Sequence, residues 1–335
     1  MGINGTRIDP SARLLSEAIS DLGWKADPKA LADRVRQLQQ GLPAEDEFAL
    51  LLTWLGKCAL VHRLDQAQAP PNSKSAYRIP DLLAIFRYKD REIPVLIEVK
   101  TSAEKHLSWR PDYYDGLSNY AKRLRLPLLL AWNWTKFGFW ILCDVSVFDR
   151  PETNYRLTFE TAMRHSLMCE LAGDFSYVFQ PGVGLHFKLE KLEQLPSENP
   201  PAETYNVRIS EAYFTDAQGA HLNTLGPGVF WLFVGSEQDT ETDDHPDYFD
   251  HRFIMAEESP MQAAHRLVAL VTLGLGATEL IPWRQLLQDH SFSIGGQELA
   301  EEAEVAIGRH IIRYVFRQQP AELPAFLKQE EGLSV

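Results

Sequence analysis

RIPDLLAIFRYKDREIPVLIEVKTS, Arg78 to Ser102, is the stretch from which the rest of the chain can be read. Two apolar runs, Asp81 to Tyr88 and Val95 to Lys100, flank the charged segment Lys89-Asp90-Arg91-Glu92. Aliphatic and β-branched residues fill both runs, so the pattern predicts two strands joined by a turn. Side chains on a strand alternate faces, which points Glu98 and Lys100 one way and Val99 the other. An antiparallel pairing around residues 89–94 brings Asp81 opposite the end of the second run. Two carboxylates and an ammonium then share one patch. Asp81 as a plain turn residue, with Glu98 and Lys100 as a same-face pair on an exposed strand, is the competing reading. The apolar neighbours Leu82 to Phe86 and Ile93 to Ile97 argue against it, because charges at the ends of buried strands need a partner or a metal. Paired carboxylate oxygens suit Mg²⁺, which binds through few carboxylates and keeps waters for substrate phosphates. A lysine beside them can orient or help deprotonate a water and stabilise charge on a phosphate.

The flanking sequence builds a module around this pair. Ser11 to Leu22 and Asp27 to Gln40 read as short helices, the second with an Asp-Pro start and a stop at Gly41. Pro43 opens a third, whose first turn carries Glu45, Asp46 and Glu47 where the helix dipole favours acids. Cys58 to Leu64 reads as a strand, and Ala67 to Ser75 as a Pro/Ser/Asn loop. After Lys100, Pro111 starts a helix with Tyr113, Leu117, Tyr120 and Leu124 on one core-facing stripe, and Lys122, Arg123 and Arg125 on the opposite side. Leu128 to Trp134 and Phe139 to Val145 are the next strands. Strand, helix and strand from Val95 to Trp134 form a βαβ unit with parallel neighbours. Trp132, Trp134 and Trp140 could stack on bases, although strand positions favour a core role.

Beyond Arg150 the character changes. Glu152 to Cys169 reads as helical, Leu185 to Leu192 and Val207 to Tyr213 as strands, and Pro196 to Pro201 as a linker. Gly228 to Gly235 reads as a further strand, Ser236 to His251 as a solvated acidic loop without a calcium-loop pattern, and Ser259 to Gly274 and Gly296 to Gln318 as long helices. The fold class that results is α/β: a mixed sheet flanked by helices, plus an acidic α+β C-terminal domain. Its divisions are an N-terminal helical segment at 1–40, the module at 41–150 and the acidic domain at 151–335.

Composition limits the function. Cys58, Cys143 and Cys169 are widely spaced, which excludes a cysteine zinc cluster and a disulfide scaffold and suits a reducing, cytoplasmic setting. Neither a secretory leader nor a membrane-spanning run is expected from the pattern. The net charge of −13 is unevenly spread. Residues 61–140 hold 13 Lys and Arg against 8 Asp and Glu, whereas residues 151–335 hold 12 against 28. The candidate site therefore lies in the basic part of an acidic protein, which permits phosphate-backbone binding there and disfavours it elsewhere. Phosphate-cradling GxxxxGK[ST], nucleophile-elbow GxSxG and metalloprotease HExxH patterns are all missing.

Together, Ile79-Pro80-Asp81, Ile97-Glu98-Val99-Lys100 and the helix–strand–hairpin–helix–strand order make the 41–150 module resemble the PD-(D/E)xK nuclease superfamily. That is the restriction-endonuclease-like fold, shared by archaeal Holliday-junction resolvases. The resemblance implies a Mg²⁺-dependent endonuclease, with Mn²⁺ as a substitute, acting on a nucleic acid, most simply DNA. By position it implies Asp81 and Glu98 as metal ligands and Lys100 as the catalytic lysine. It also implies a further metal-proximal glutamate on the first helix, Glu45 or Glu47, and Lys122 as the polar residue on the following helix, with Arg123 and Arg125 beside it on the nucleic acid. A homodimer or a protein partner would engage the acidic domain. A non-catalytic scaffold that keeps the fold is the alternative.

Overall fold

The computed structural model describes residues 15, 18, 19 and 22, and residues 27–328 apart from 66–67, 69, 152, 197–202, 223–225, 235–237, 257–259 and 269–294. Most of the expected Ser11 to Leu22 helix and of the 196–201 linker lies outside the described residues. Contacts divide the chain into two compact units, Met1–Asp174 with Leu267–Gly296 and Gln318–Val335, and Phe175–Arg266 with Gln297–Arg317.

The first unit is built on a five-stranded mixed sheet. Its strands are β1 (Cys58–Arg63), β2 (Leu82–Tyr88), β3 (Arg91–Ser102), β5 (Leu128–Trp134) and β6 (Phe139–Asp144), lying side by side in that order. A short β4 (His106–Trp109) sits outside it and pairs with β7 (Tyr155–Thr158). Neighbours in the main sheet run antiparallel except β3 and β5, which run parallel from Leu96–Leu128 to Ser102–Trp134. Between those two strands lies helix α2 (Pro111–Leu124), the expected crossover. Its Leu117 and Ala121 pack on Leu96, Leu130, Trp132, Ile141 and Cys143. Helix α1 (Pro28–Leu55) covers the other face, where Phe48 meets Trp140 with ring centroids 4.7 Å apart. The three tryptophans are core residues: Trp132 is fully buried, and Trp134 and Trp140 nearly so, which removes them as base-stacking platforms.

The helix expected to stop at Gly41 instead runs unbroken through Pro43. A helix-interior proline costs about 3 kcal/mol. Burial of Phe48, Leu50, Leu51, Leu52, Trp54 and Leu55 offsets that, at about 1.5–3 kcal/mol for each large apolar side chain. The unit also reaches past residue 150, because Leu157 of β7 and Ala162 of α3 (Phe159–Arg164) enter the core beneath α2. The helix expected over Glu152 to Cys169 is thus a strand, this short helix and a π-helical turn at Met168–Ala172.

The second unit is mainly antiparallel. In its larger sheet β11 (His221–Leu222), β10 (Thr204–Thr215), β9 (Gly184–Leu195), β13 (Tyr248–Met255) and β12 (Gln238–Asp244) lie in that order. A smaller sheet holds β14 (Met261–Gln262), β8 (Ser176–Phe179) and β15 (Ile312–Phe316).

Of the helix expected over Ser259 to Gly274, residues 261–262 form β14 instead, residues 263–268 are helical, and residues 259 and 269–274 lie outside the described residues. Three other sequence expectations fail here. The run expected as a strand from Gly228 is instead, over residues 228–233, most of helix α4 (Pro227–Phe233), which buries Val229, Leu232 and Phe233 at helical spacing behind an N-terminal proline. The acidic stretch is not a loop: β12 and β13 pair from Gln238–Met255 to Asp244–Phe249, and Arg252 bridges Asp243 and Glu241 on one face. The last long helix ends early. Helix α5 (Gly296–Ile307) gives way at Gly308 to His310, whose φ of 57° breaks the helix, and β15 follows.

Candidate active site

The hairpin register sets the site. Leu82 pairs with Ile97, which puts Asp81 beside the C-terminal half of β3. The Asp81 carboxylate accepts a 2.7 Å hydrogen bond from the Val99 amide, and the Asp81 carbonyl accepts one from Leu64 at 2.9 Å. Glu98, 2 % exposed, and Lys100 project together from the same face of β3, as alternation requires. The Lys100 ammonium donates to Glu98 Oε1 and, at 3.1 Å, to the Val99 carbonyl. Lys100 itself is about one-third exposed, so the cluster has an open side.

Tyr113, in the first turn of α2, donates its hydroxyl to the same Glu98 Oε1. Sequence periodicity assigns Tyr113 to a core stripe; Leu117 is buried and Tyr113 and Tyr120 pack partly buried against the core, but Leu124 at the far end is exposed. The stripe's N-terminal member, however, overlies the end of β3 and reaches the carboxylate. The available signal was a tyrosine hydroxyl in the first turn of the helix that follows the Glu98 strand, a feature that Tyr120, two turns on, does not share. The Arg78 guanidinium lies over the Tyr113 ring, 4.9 Å from its centroid, and the Lys100 ammonium lies 5.3 Å from it.

Electrostatics follow from this crowding. Burial raises the Asp81 carboxyl well above the ordinary range, and the negative charges of Glu98 and Glu45 add to that, while Lys100 and the Val99 amide oppose it. Burial alone would lower the Lys100 ammonium, but Glu98 and Asp81 override it and hold the lysine charged beyond its usual range. Burial, then the charge of Glu98, raises the Tyr113 hydroxyl, which keeps its proton as a donor.

The two helix glutamates separate. Glu45 is close enough to Asp81 to raise its proton affinity, and its carboxylate is paired 2.7 Å from Arg63 Nε at the end of β1. Glu47 points toward β5 and β6, where it accepts from Trp140 Nε1 at 2.7 Å and from Asn133 Nδ2 at 3.5 Å. Burial raises its pKa to about 7, against the lowering effect of the Trp140 bond. Of the pair, Glu45 belongs with Asp81 and Glu98.

Lys122, Arg123 and Arg125 lie elsewhere. They occupy the last turn and C-cap of α2, nine or more residues beyond Tyr113 and so more than about 13 Å along the helix. Lys122 and Arg125 line a separate cavity of about 710 Å³ with Arg91, Glu92, Tyr114 and Asp144.

Among the described residues, no group of three His, Cys, Asp or Glu side chains is arranged to hold a metal ion by itself. The donor set nevertheless fits Mg²⁺, which takes one or two carboxylates and completes its shell with waters and phosphate oxygens. Asp81 and Glu98 supply hard oxygens at the same end of β3, and Glu45 adds a further negative charge close enough to act on Asp81.

No family model matches this chain, and no curated protein matches it. A solved structure that resembles part of it is Archaeoglobus fulgidus Hjc, a Holliday junction resolvase from an archaeal hyperthermophile. It is 21% identical, with a TM-score of 0.30, over 36% of this chain and 91% of that one. A likeness at that level decides neither fold nor activity, which rest on the geometry of the chain itself.

Proposed function

We propose that this protein is a metal-dependent endonuclease that hydrolyses phosphodiester bonds of DNA, with its site in the 41–150 module. The observation that carries this reading is the convergence of Asp81, Glu98 and Lys100 at one end of β3, with Glu45 close enough to Asp81 to perturb it. Asp81 and Glu98 would hold Mg²⁺ or Mn²⁺ directly, with Glu45 contributing negative charge from α1. The bound ion would supply Lewis-acid polarisation of a phosphate oxygen and a more acidic water.

The chain's own groups divide the remaining work. The Val99 amide orients Asp81, and Tyr113 and Lys100 together fix Glu98 Oε1. Lys100, held charged, donates toward the phosphate and stabilises negative charge that builds on it as the bond breaks. The partly exposed side of Lys100 is where the substrate phosphate would approach. The acidic second unit would bind a protein partner or a second copy of the chain, since a strongly negative surface disfavours the DNA backbone.

Plasmid nicking in Mg²⁺ tests the reading directly. Wild type should convert supercoiled DNA to nicked and linear forms, EDTA should abolish this, and Asp81→Ala and Lys100→Ala should each lower the rate by at least about a hundredfold. Residual cleavage equal to wild type in both variants would refute the assignment and leave a non-catalytic role for the module.

A further inference from the structure

Arg78 stands three residues before Asp81 and has no part in the arrangement described so far beyond its contact with Tyr113. Its backbone amide donates to the Gly116 carbonyl of α2 at 3.0 Å, which ties the segment before β2 to the helix. A second tie comes from Asn119, whose side chain donates to the Ala76 carbonyl at 3.3 Å. The aliphatic stem of Arg78 lies in a notch made by the missing side chain of Gly116. A Cβ there would stand 2.9 Å from Arg78 Cγ and 3.4 Å from its Cβ. Relief of that contact takes a change of the Arg78 χ1 rotamer, which swings the guanidinium off its seat, or a shift of a backbone that is itself bonded to residue 116.

A glycine inside a helix is unfavourable relative to alanine, so this position carries a packing reason, and the reason is the seat for Arg78. The guanidinium that results is half exposed, 43 % for the side chain. It rests on the Tyr113 ring, and its ion pair is a long one, 3.5 Å to Asp112. Tyr113 is at the same time bonded to Glu98. A forked donor, held by its backbone and stem and open at its head, thus sits one aromatic ring away from the carboxylates. Such a fork matches the non-bridging oxygens of a phosphodiester.

We propose that Arg78, seated in the notch at Gly116, anchors a backbone phosphate of the nucleic acid beside the carboxylate cluster. This rests on the endonuclease reading of that cluster, and it gives to Arg78 the contact that the resemblance implies for the distant Lys122, Arg123 and Arg125.

The test is equilibrium binding of a fluorescent DNA duplex, with Ca²⁺ in place of Mg²⁺, across a salt series. The proteins are wild type, Arg78→Ala, Arg78→Lys, Gly116→Ala and the double variant Lys122→Ala/Arg125→Ala. Loss of one phosphate contact should reduce the slope of log affinity against log salt by about 1. Arg78→Ala and Gly116→Ala should both show this reduction, with affinity about tenfold weaker, although Gly116→Ala keeps every charge. Arg78→Lys should keep the slope and lose part of the affinity, and the double variant should match wild type. Mn²⁺ binding, measured separately by calorimetry, should be the same in wild type, Arg78→Ala and Gly116→Ala. A wild-type slope in Arg78→Ala, or a slope lost only in the double variant, overturns the assignment. A wild type that binds Mn²⁺ but no DNA also overturns it. A wild type whose DNA binding depends on Arg78 but which binds no Mn²⁺ supports Arg78 and instead defeats the metal reading.

Discussion

Replacing Glu47 by glutamine should stabilise the protein at alkaline pH, and the size of the effect follows from the site. The Glu47 carboxyl has a pKa of about 7 in the fold against 4.5 as an ordinary side chain, a shift caused chiefly by burial. Between those values the folded state holds a proton that the unfolded state has released. Stability therefore falls as pH rises from about 4.5, and it stops falling above about 7. The full difference is about 3 kcal/mol at 1.36 kcal/mol per pKa unit. For a unit of this size that is at most about 6–12 °C in Tm.

Glutamine keeps the acceptor that Trp140 Nε1 uses. Relative to wild type, Glu47→Gln should thus gain little at pH 4 and about 3 kcal/mol by pH 8, measured by urea denaturation at each pH. Its Mn²⁺ affinity should equal that of wild type. An equal loss of stability with pH in both proteins would refute the assignment of a raised pKa to Glu47, and a loss of Mn²⁺ binding would return Glu47 to the metal cluster.

Tyr113→Phe keeps the ring beneath Arg78 and removes the donor to Glu98, so Mn²⁺ affinity should fall about 10–100-fold while the melting temperature stays within a few degrees; unchanged affinity in a calorimetric titration would make Tyr113 a packing residue only. Lys100→Ala leaves the buried Glu98 without its cation, which should lower the Tm in EDTA, and saturating Mn²⁺ should raise the variant's Tm more than that of wild type, because an ion bound only to the folded state stabilises by mass action. Glu45→Gln should weaken Mn²⁺ binding less than Asp81→Asn does, since Arg63 already neutralises Glu45; the reverse order would place Glu45 in direct contact with the ion. Trp132→Ala, which empties the centre of the core under α2, should destabilise by about 3–5 kcal/mol in chemical denaturation.

Much of the first unit was legible because its strands carry their register in their chemistry. The turn at Lys89 and Asp90, the apolar runs on both sides and the Pro111 helix start each have a local cause, and together they give the hairpin and crossover found in the structure. The second unit was less legible, for two physical reasons. Gly228 to Gly235 is apolar throughout, so periodicity could not separate helix from strand, and the buried trio Val229, Leu232 and Phe233 decides it only once a core is in place. The acidic β12 has no apolar alternation at all. It is held as a strand by its ladder to β13 and by Arg252, a partner that follows it in sequence by several residues.

Within the candidate site, one spacing produced a firm reading and an open one. Glu98 and Lys100 are two residues apart on a strand, where a period of two returns them to the same face; their contact follows from the sequence once the strand is accepted. Glu45 and Glu47 are also two residues apart, but on a helix, where that step turns about 200°. They must therefore face opposite ways, and sequence alone could not say which faces the sheet's β1–β2 side and which its β5–β6 side. What decides it is the rotation of α1, set by Phe48 against Trp140 and by Leu51, Leu52 and Leu55 in the core. With that face fixed, Glu47 falls beside Trp140 and Glu45 beside Arg63 and Asp81. The same rule explains Lys122. It shares a helix with Tyr113, yet the helix rise carries it away from the site, whereas Arg78, remote from the helix in sequence, is brought to its first turn by the notch at Gly116.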